Sequence, residues 1–238
     1  MQIPTSSMAS TLLLGLGRFH LAALAQSPAT RGLAAAFQPT QDALAAAHGA
    51  REQAEEALAT PRVAARFSEF ALERVIRQVA LLAHTADNNT DSGPAFRGLF
   101  PDGLDAELRP RGAAQLAAAA GLRARLGGQP AAAGVKAQVA EALDAAIALL
   151  GASLEARQAA ERALGIARAN EDGARETFVA AYDSNAGAIR QMFPRQRAQQ
   201  DLHFDDFRER RVTAAGGDGH PGGAPGAGTP GDVGAHPA

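Results

Sequence analysis

Cysteine is absent from these 238 residues. That excludes disulfides, thiolate-ligated zinc, iron–sulfur clusters and thiol nucleophiles. Tryptophan is absent as well, tyrosine occurs once, and aromatics make up 5% of the chain. Side chains able to fill a thick core are therefore scarce, and the 46% hydrophobic content is mostly alanine. Helices lined by alanine bury surface only by approaching closely. Lysine occurs once, at Lys136, against 22 arginines. The formal charge of −2 provides no overall field to attract nucleic acid or an acidic membrane.

Other signals are missing too. No run of alternating β-branched residues marks a strand, and no stretch approaches the roughly 20 apolar residues that cross a bilayer. The pair Gly15-x-Gly17 follows no strand and no GK[ST] motif occurs, so nucleotide binding has no support. The six histidines, at 20, 48, 84, 203, 220 and 236, belong to no HExxH or Glu-x-x-His pair. Residues 87–103, DNNTDSGPAFRGLFPDG, place Asp87, Asn89 and Asp91 at the first three ligand positions of a calcium loop. However, Ser92 stands where that loop needs glycine and Gly98 where it needs a bidentate glutamate. The stretch reads as a frayed helix end, a single turn started by Pro94 that carries Phe96 and Phe100, and a Pro101-Asp102-Gly103 turn.

What is present is helix-forming sequence between Pro and Gly punctuation. The expectation is an all-α protein, an elongated antiparallel helical bundle or coiled coil with one long C-terminal helix. A single domain over 1–211 is expected to hold short helices within 9–37, a stop and new N-cap at Gln38-Pro39-Thr40, and a long helix over 41–87. In that helix Leu44, Leu58, Ala65, Leu72, Val79 and Ala86 recur every seven residues, with Arg51 interrupting; Pro61 interrupts the companion column of Ala47, Ala54, Ser68, Val75 and Leu82 and predicts a kink, with a division into two helices at Thr60-Pro61 the alternative. A loop over 88–104, a helix over 105–126, a helix over 131–192 and a short return over 195–211 follow. The 131–192 segment holds no proline, and Val139, Ala146, Ser153, Ala160, Ala167, Ala174, Ala181 and Ala188 keep one phase throughout. Leu143, Leu150, Leu164, Phe178 and Met192 occupy the second column. One unbroken helix is expected, with Gly151 the alternative break. Residues 212–238 are rich in Gly and Pro without apolar anchors and predict a disordered tail.

The candidate site residues lie where the 131–192 helix turns polar: Arg157, Glu161, Arg168, Glu171, Arg175, Tyr182 and Asn185. Arg157 with Glu161, and Arg168 with Glu171, are spaced to pair across one turn. The group reads as a solvated seam, as a polar layer that fixes register with another helix, or as a small cleft near Tyr182, Asp183 and Asn185. No catalytic, cofactor or metal-ligating set emerges. The expected function is non-enzymatic, structural or interaction work through a long helical surface, with a protein partner or a second copy of the chain, no nucleic acid and no membrane span. The cytoplasm is the default location. Ala23-Leu24-Ala25 after the apolar run at 12–16 supports an exported or envelope-associated helical protein as the second reading, and the 87–103 loop a metal-dependent binder as the third.

Overall fold

The computed structural model describes residues 3–205. All regular structure among them is helical: α1 (Ser10–Ala25), α2 (Arg31–Ala57), α3 (Ala59–Ala86), α4 (Pro94–Leu99), α5 (Leu104–Leu108), α6 (Ala113–Gly128), a 3-10 turn (Pro130–Ala132), α7 (Ala133–Met192) and α8 (Arg197–Asp201). The expected tail at 212–238, and the end of the return after 205, lie outside the described residues.

The long C-terminal helix is present and runs through Gly151 without a break. Its 60 residues span about 90 Å at 1.5 Å per residue. Helices α2 and α3 lie antiparallel along it. His48 meets Glu171, Glu55 meets Arg168 and Ser68 meets Ser153, so α7 positions fall as α2–α3 positions rise. Every member of the leading column from Leu44 to Val79 is buried except the half-buried Arg51. The column therefore faces α7, as its spacing requires.

Prolines divide this rod differently from the sequence expectation. No stop occurs at Gln38-Pro39-Thr40: α2 continues through Pro39. The ring frees only the carbonyl of Ala35, which lies with Pro39 on the exposed side where solvent can satisfy it, while buried Phe37, Gln41 and Leu44 hold the helix on both sides. At Pro61 the missing N–H and the ring act on the carbonyl four residues earlier, at Ala57, and the rod is divided there. Leu58 between α2 and α3 keeps helical angles (φ −71°, ψ −21°). The expected helix over 105–126 is two, because Pro110 and Gly112, the latter at φ +59°, part α5 from α6.

The bundle has two cores. One packs Leu72, Ile76 and Val79 of α3, Leu122 and Leu126 of α6, Phe96, Leu99 and Phe100 in and beside α4, and Val139, Leu143 and Leu150 of α7. The other packs Leu13, Leu16 and Leu24 of α1, Phe37 and Leu44 of α2, Phe178, Tyr182, Ala186 and Ile189 of α7, and Phe204. Between Leu150 and Phe178, about 42 Å of helix, α7 buries only Ser153, Leu164 and Glu171. This waist is where α2 hands over to α3. Within the Pro130–Met192 stretch an 18-residue window has a mean hydropathy of 1.4 with at most two charged residues, and 28% of it is buried. The same helix supplies Val135, Val139, Leu143 and Leu150 to the first core.

Two glycines test the packing in opposite directions. A Cβ on Gly151 would meet only Leu116 Cδ2 at 3.9 Å, so Gly151→Ala in a continuous helix is expected to raise stability by about 0.5–1 kcal/mol in urea unfolding. A Cβ on Gly17 would stand 1.9 Å from Gln41 Oε1 and 2.8 Å from Phe178, and Gly17→Ala is expected to cost about 1–3 kcal/mol. Destabilisation by Gly151→Ala would argue for a break there.

Candidate functional site

The polar residues of α7 separate into three environments. Glu171 is buried between α2 and α7, where His48 Nδ1 lies 2.8 Å from one carboxylate oxygen and Arg51 Nε 2.8 Å from the other. Burial is the largest single effect and raises the carboxyl pKa. Hydrogen bonds from Ser10 and His48, and the charges of Arg51 and His48, together outweigh it and hold the group below the ordinary glutamate range. Around this centre His48 Nε2 reaches Glu52 at 3.3 Å, Arg51 pairs with Glu55, and Arg168 reaches Glu55 at 3.1 Å. Arg168 thus pairs across to α2 and not with Glu171. Arg157 and Glu161 do pair locally, 3.6 Å apart, with Glu161 exposed. Arg175 is tied to Asp172 and donates to the Met8 carbonyl at 3.3 Å.

Tyr182 and Asn185 belong to a buried knot at the far end of α7, centred on a residue that the sequence reading passed over. His20 of α1 is fully buried. Its Nδ1 lies 2.8 Å from the His203 carbonyl, and Nε2 lies 3.1 Å from Asn185 Nδ2. Since a carbonyl only accepts and an amide nitrogen only donates, Nδ1 carries the proton and Nε2 accepts. The imidazole packs against Phe37 at 5.3 Å, Tyr182 at 4.6 Å and Phe204 at 5.1 Å between centroids. Burial drives the His20 pKa down to about 4, against the lesser raising effect of the His203 carbonyl. Burial, and then the charge of Asp205, raises that of Tyr182. No open ligand cleft joins Tyr182, Asp183 and Asn185: Tyr182 and Asn185 point into packed core and Asp183 is exposed. These groups hold α1, α7 and the return segment together.

The 87–103 loop uses its acids as caps. The two carboxylate oxygens of Asp87 accept the N–H groups of Ala95, at 3.2 Å, and Phe96, at 2.7 Å, fastening the start of α4. Asp91 pairs with His84. Asn88 and Asn89, at φ +54° and +63°, end α3 in the left-handed region. Among the described residues no group of three or more His, Cys, Asp or Glu is arranged to hold a metal. A cleft of about 990 Å³ beside this loop is lined by Arg77, Arg97 and Arg109 but equally by Asp91, Asp102 and Asp105. With the signs balanced, it presents no net field to a charged ligand.

The outward face of α3 carries an extended apolar line without a partner among the described residues. Val63, Phe67, Phe70 and Leu81 are 53%, 72%, 61% and 66% exposed. With Arg74 and Arg77 they follow the alternating four-three spacing 63, 67, 70, 74, 77, 81, which places them along one line of the helix. That line lies opposite Ala65, Ser68, Leu72, Ile76, Val79 and Ala83, which face the core. A shallow groove of about 330 Å³ opens between Val63, Arg66, Phe67 and Phe70. The signal was available in the sequence as a second apolar repeat, half a helical turn from the first.

Comparison with protein-family models, with characterised proteins and with solved structures gives no match.

The buried imidazole predicts a pH dependence. His20 is held neutral in the folded chain with its pKa depressed to about 4, whereas the unfolded chain takes up the proton near 6.5. Its contribution is full above pH 6.5 and is lost as pH falls toward 4, by roughly 3 kcal/mol at about 1.4 kcal/mol per unit. His203, also lowered by burial, acts in the same direction. Urea unfolding between these pH values is expected to show the loss, and His20→Gln to flatten it. An unchanged slope in that variant would assign the dependence elsewhere.

Proposed function

We propose that this chain is a non-enzymatic interaction protein, a rigid helical rod that holds another protein along its outer surface in the manner of a coiled coil. The observation that supports this reading is the outward line of α3, where two phenylalanines stand more than half exposed beside Val63 and Leu81. Single exposed apolar residues are ordinary, but several aligned on one rigid helix form a contact seam. The rod suits such work because α3 is fixed from behind by α7 and the first core, so the seam is presented without an ordering cost. The residues of α7 that first suggested interaction chemistry contribute by aligning the rod itself.

Replacing both rings by charge, Phe67→Asp with Phe70→Asp, removes the seam without touching the core. The double variant is expected to unfold within about 0.5 kcal/mol of the parent, because both side chains are already in water. Co-purification from the native source is expected to retain a partner with the parent chain and to lose it with the variant. Retention of the same set by both proteins would overturn the reading.

A further inference from the structure

Resting on the interaction reading above, we propose that the occupant of the α3 seam is an acidic amphipathic helix of another protein, with apolar residues at both ends of its contact face and carboxylates at the centre. Three observations support this choice. The first is spacing: positions 63, 67, 70, 74, 77 and 81 alternate four and three, the interval at which one helix meets another side by side. From Val63 to Leu81 the seam is about 27 Å long, or five turns of a partner helix.

The second observation is charge. Arg62, Arg66, Arg74 and Arg77 are exposed and form no ion pair among the described residues. The two glutamates of the same helix are engaged elsewhere, Glu69 accepting the Gly112 N–H at 3.0 Å and Glu73 pairing with Arg111. Arg62, Arg66 and Arg74 thus make the outward face of α3 positive although the whole chain carries −2, while Arg77 also borders the cleft that holds Asp91, Asp102 and Asp105. A second copy docking by this face would bring four further guanidinium groups against these four, and like charges at a contact are unfavourable. An acidic helix neutralises them.

The third observation is where the cations lie. In a helix that rests on an anionic membrane, cations flank the apolar face. Here Arg74 and Arg77 lie within it, between Phe70 and Leu81. That position suits carboxylates at the centre of a facing helix, each able to take two parallel N–H bonds from a guanidinium. The recognition pattern runs apolar against Val63, Phe67 and Phe70, then acidic against Arg74 and Arg77, then apolar against Leu81.

The experiment uses the full chain and two labelled synthetic helices that share Leu at the outer contact positions and differ only at the two central ones, Glu in one and Lys in the other. Fluorescence anisotropy is expected to show saturable binding of the Glu peptide, at least about tenfold tighter than the Lys peptide and weakened as salt rises. Arg74→Glu with Arg77→Glu is expected to reverse the preference. Equal binding of the two peptides, or a preference that the charge reversal leaves in place, overturns the acidic-helix assignment. If Phe67→Asp with Phe70→Asp then still abolishes binding, the seam stands as an interaction surface with a different occupant. Two further results would also overturn the acidic helix by naming that occupant: a dimer in sedimentation that the Phe67 and Phe70 double variant dissociates, or co-pelleting with phosphatidylserine vesicles that the same variant abolishes. Binding of neither peptide, with the parent chain monomeric and free of vesicles, overturns both the assignment and the seam.

Discussion

The architecture depends on one constraint, the length of α7 against the narrowness of its apolar face. A helix of 60 residues lined largely by alanine and spaced leucines buries itself only if something lies beside it from end to end. No other helix described is half as long, so α2 and α3 cover it in series and almost collinearly, with Leu58 keeping helical angles at the junction. Two helices side by side leave both outer grooves open. At one end α6 fills a groove and with α4 completes the first core; at the other α1 and the return segment around Phe204 complete the second.

Between the cores the seam is polar, and its composition follows from geometry. An ideal helix drifts about 20° per seven residues against a strict seven-residue repeat, so over eight repeats the first column turns out of the interface while the second remains in it. Val139, Ala146 and Ser153 are buried early in α7, whereas Ala160 to Ala188 of the same column are only half covered. Leu143, Leu150, Leu164, Glu171, Phe178 and Asn185 of the other column are buried along the whole length. Glu171 thereby falls in the interface as a charge, at the one place where α2 interrupts its own apolar column with Arg51. Each charge would be costly alone; here Glu171 is paired with both His48 and Arg51 where α2 lies on α7, and a slip of one turn would leave a buried carboxylate unpaired.

The same allocation of charge shapes the outer surface. Glu69 and Glu73 are turned toward the α5–α6 connection, which α6 needs in order to start at Gly112. That leaves the arginines of α3 outward, interleaved with Val63, Phe67, Phe70 and Leu81. The contacts to the α5–α6 connection thus take both glutamates of α3 away from the outward line. The helix is amphipathic twice, once toward α7 and once toward solvent, and only the first face is covered by the described chain.

Much of the fold was legible in the sequence. Missing β-branched alternation and a proline-free stretch of 60 residues determined an all-α chain with one long helix, since both rest on local propensity and periodicity. The leading column of α2 and α3 was readable for the same reason. Proline was legible as a position but not as an outcome: Pro39 is tolerated and Pro61 divides the rod, although Ala35 and Ala57, whose carbonyls the two rings free, are both exposed. Pro110 with Gly112 carried the opposite lesson, a break that a helical composition concealed. Of the candidate residues, Arg157 and Glu161 pair as their spacing alone implied, because both lie on one turn. The partners of Glu171, Arg168, Tyr182 and Asn185 lie more than 100 residues away, in α1 and α2. Only the antiparallel alignment of three helices brought His48, Arg51 and His20 to them, because a side chain's period states which face it occupies and never what stands opposite that face.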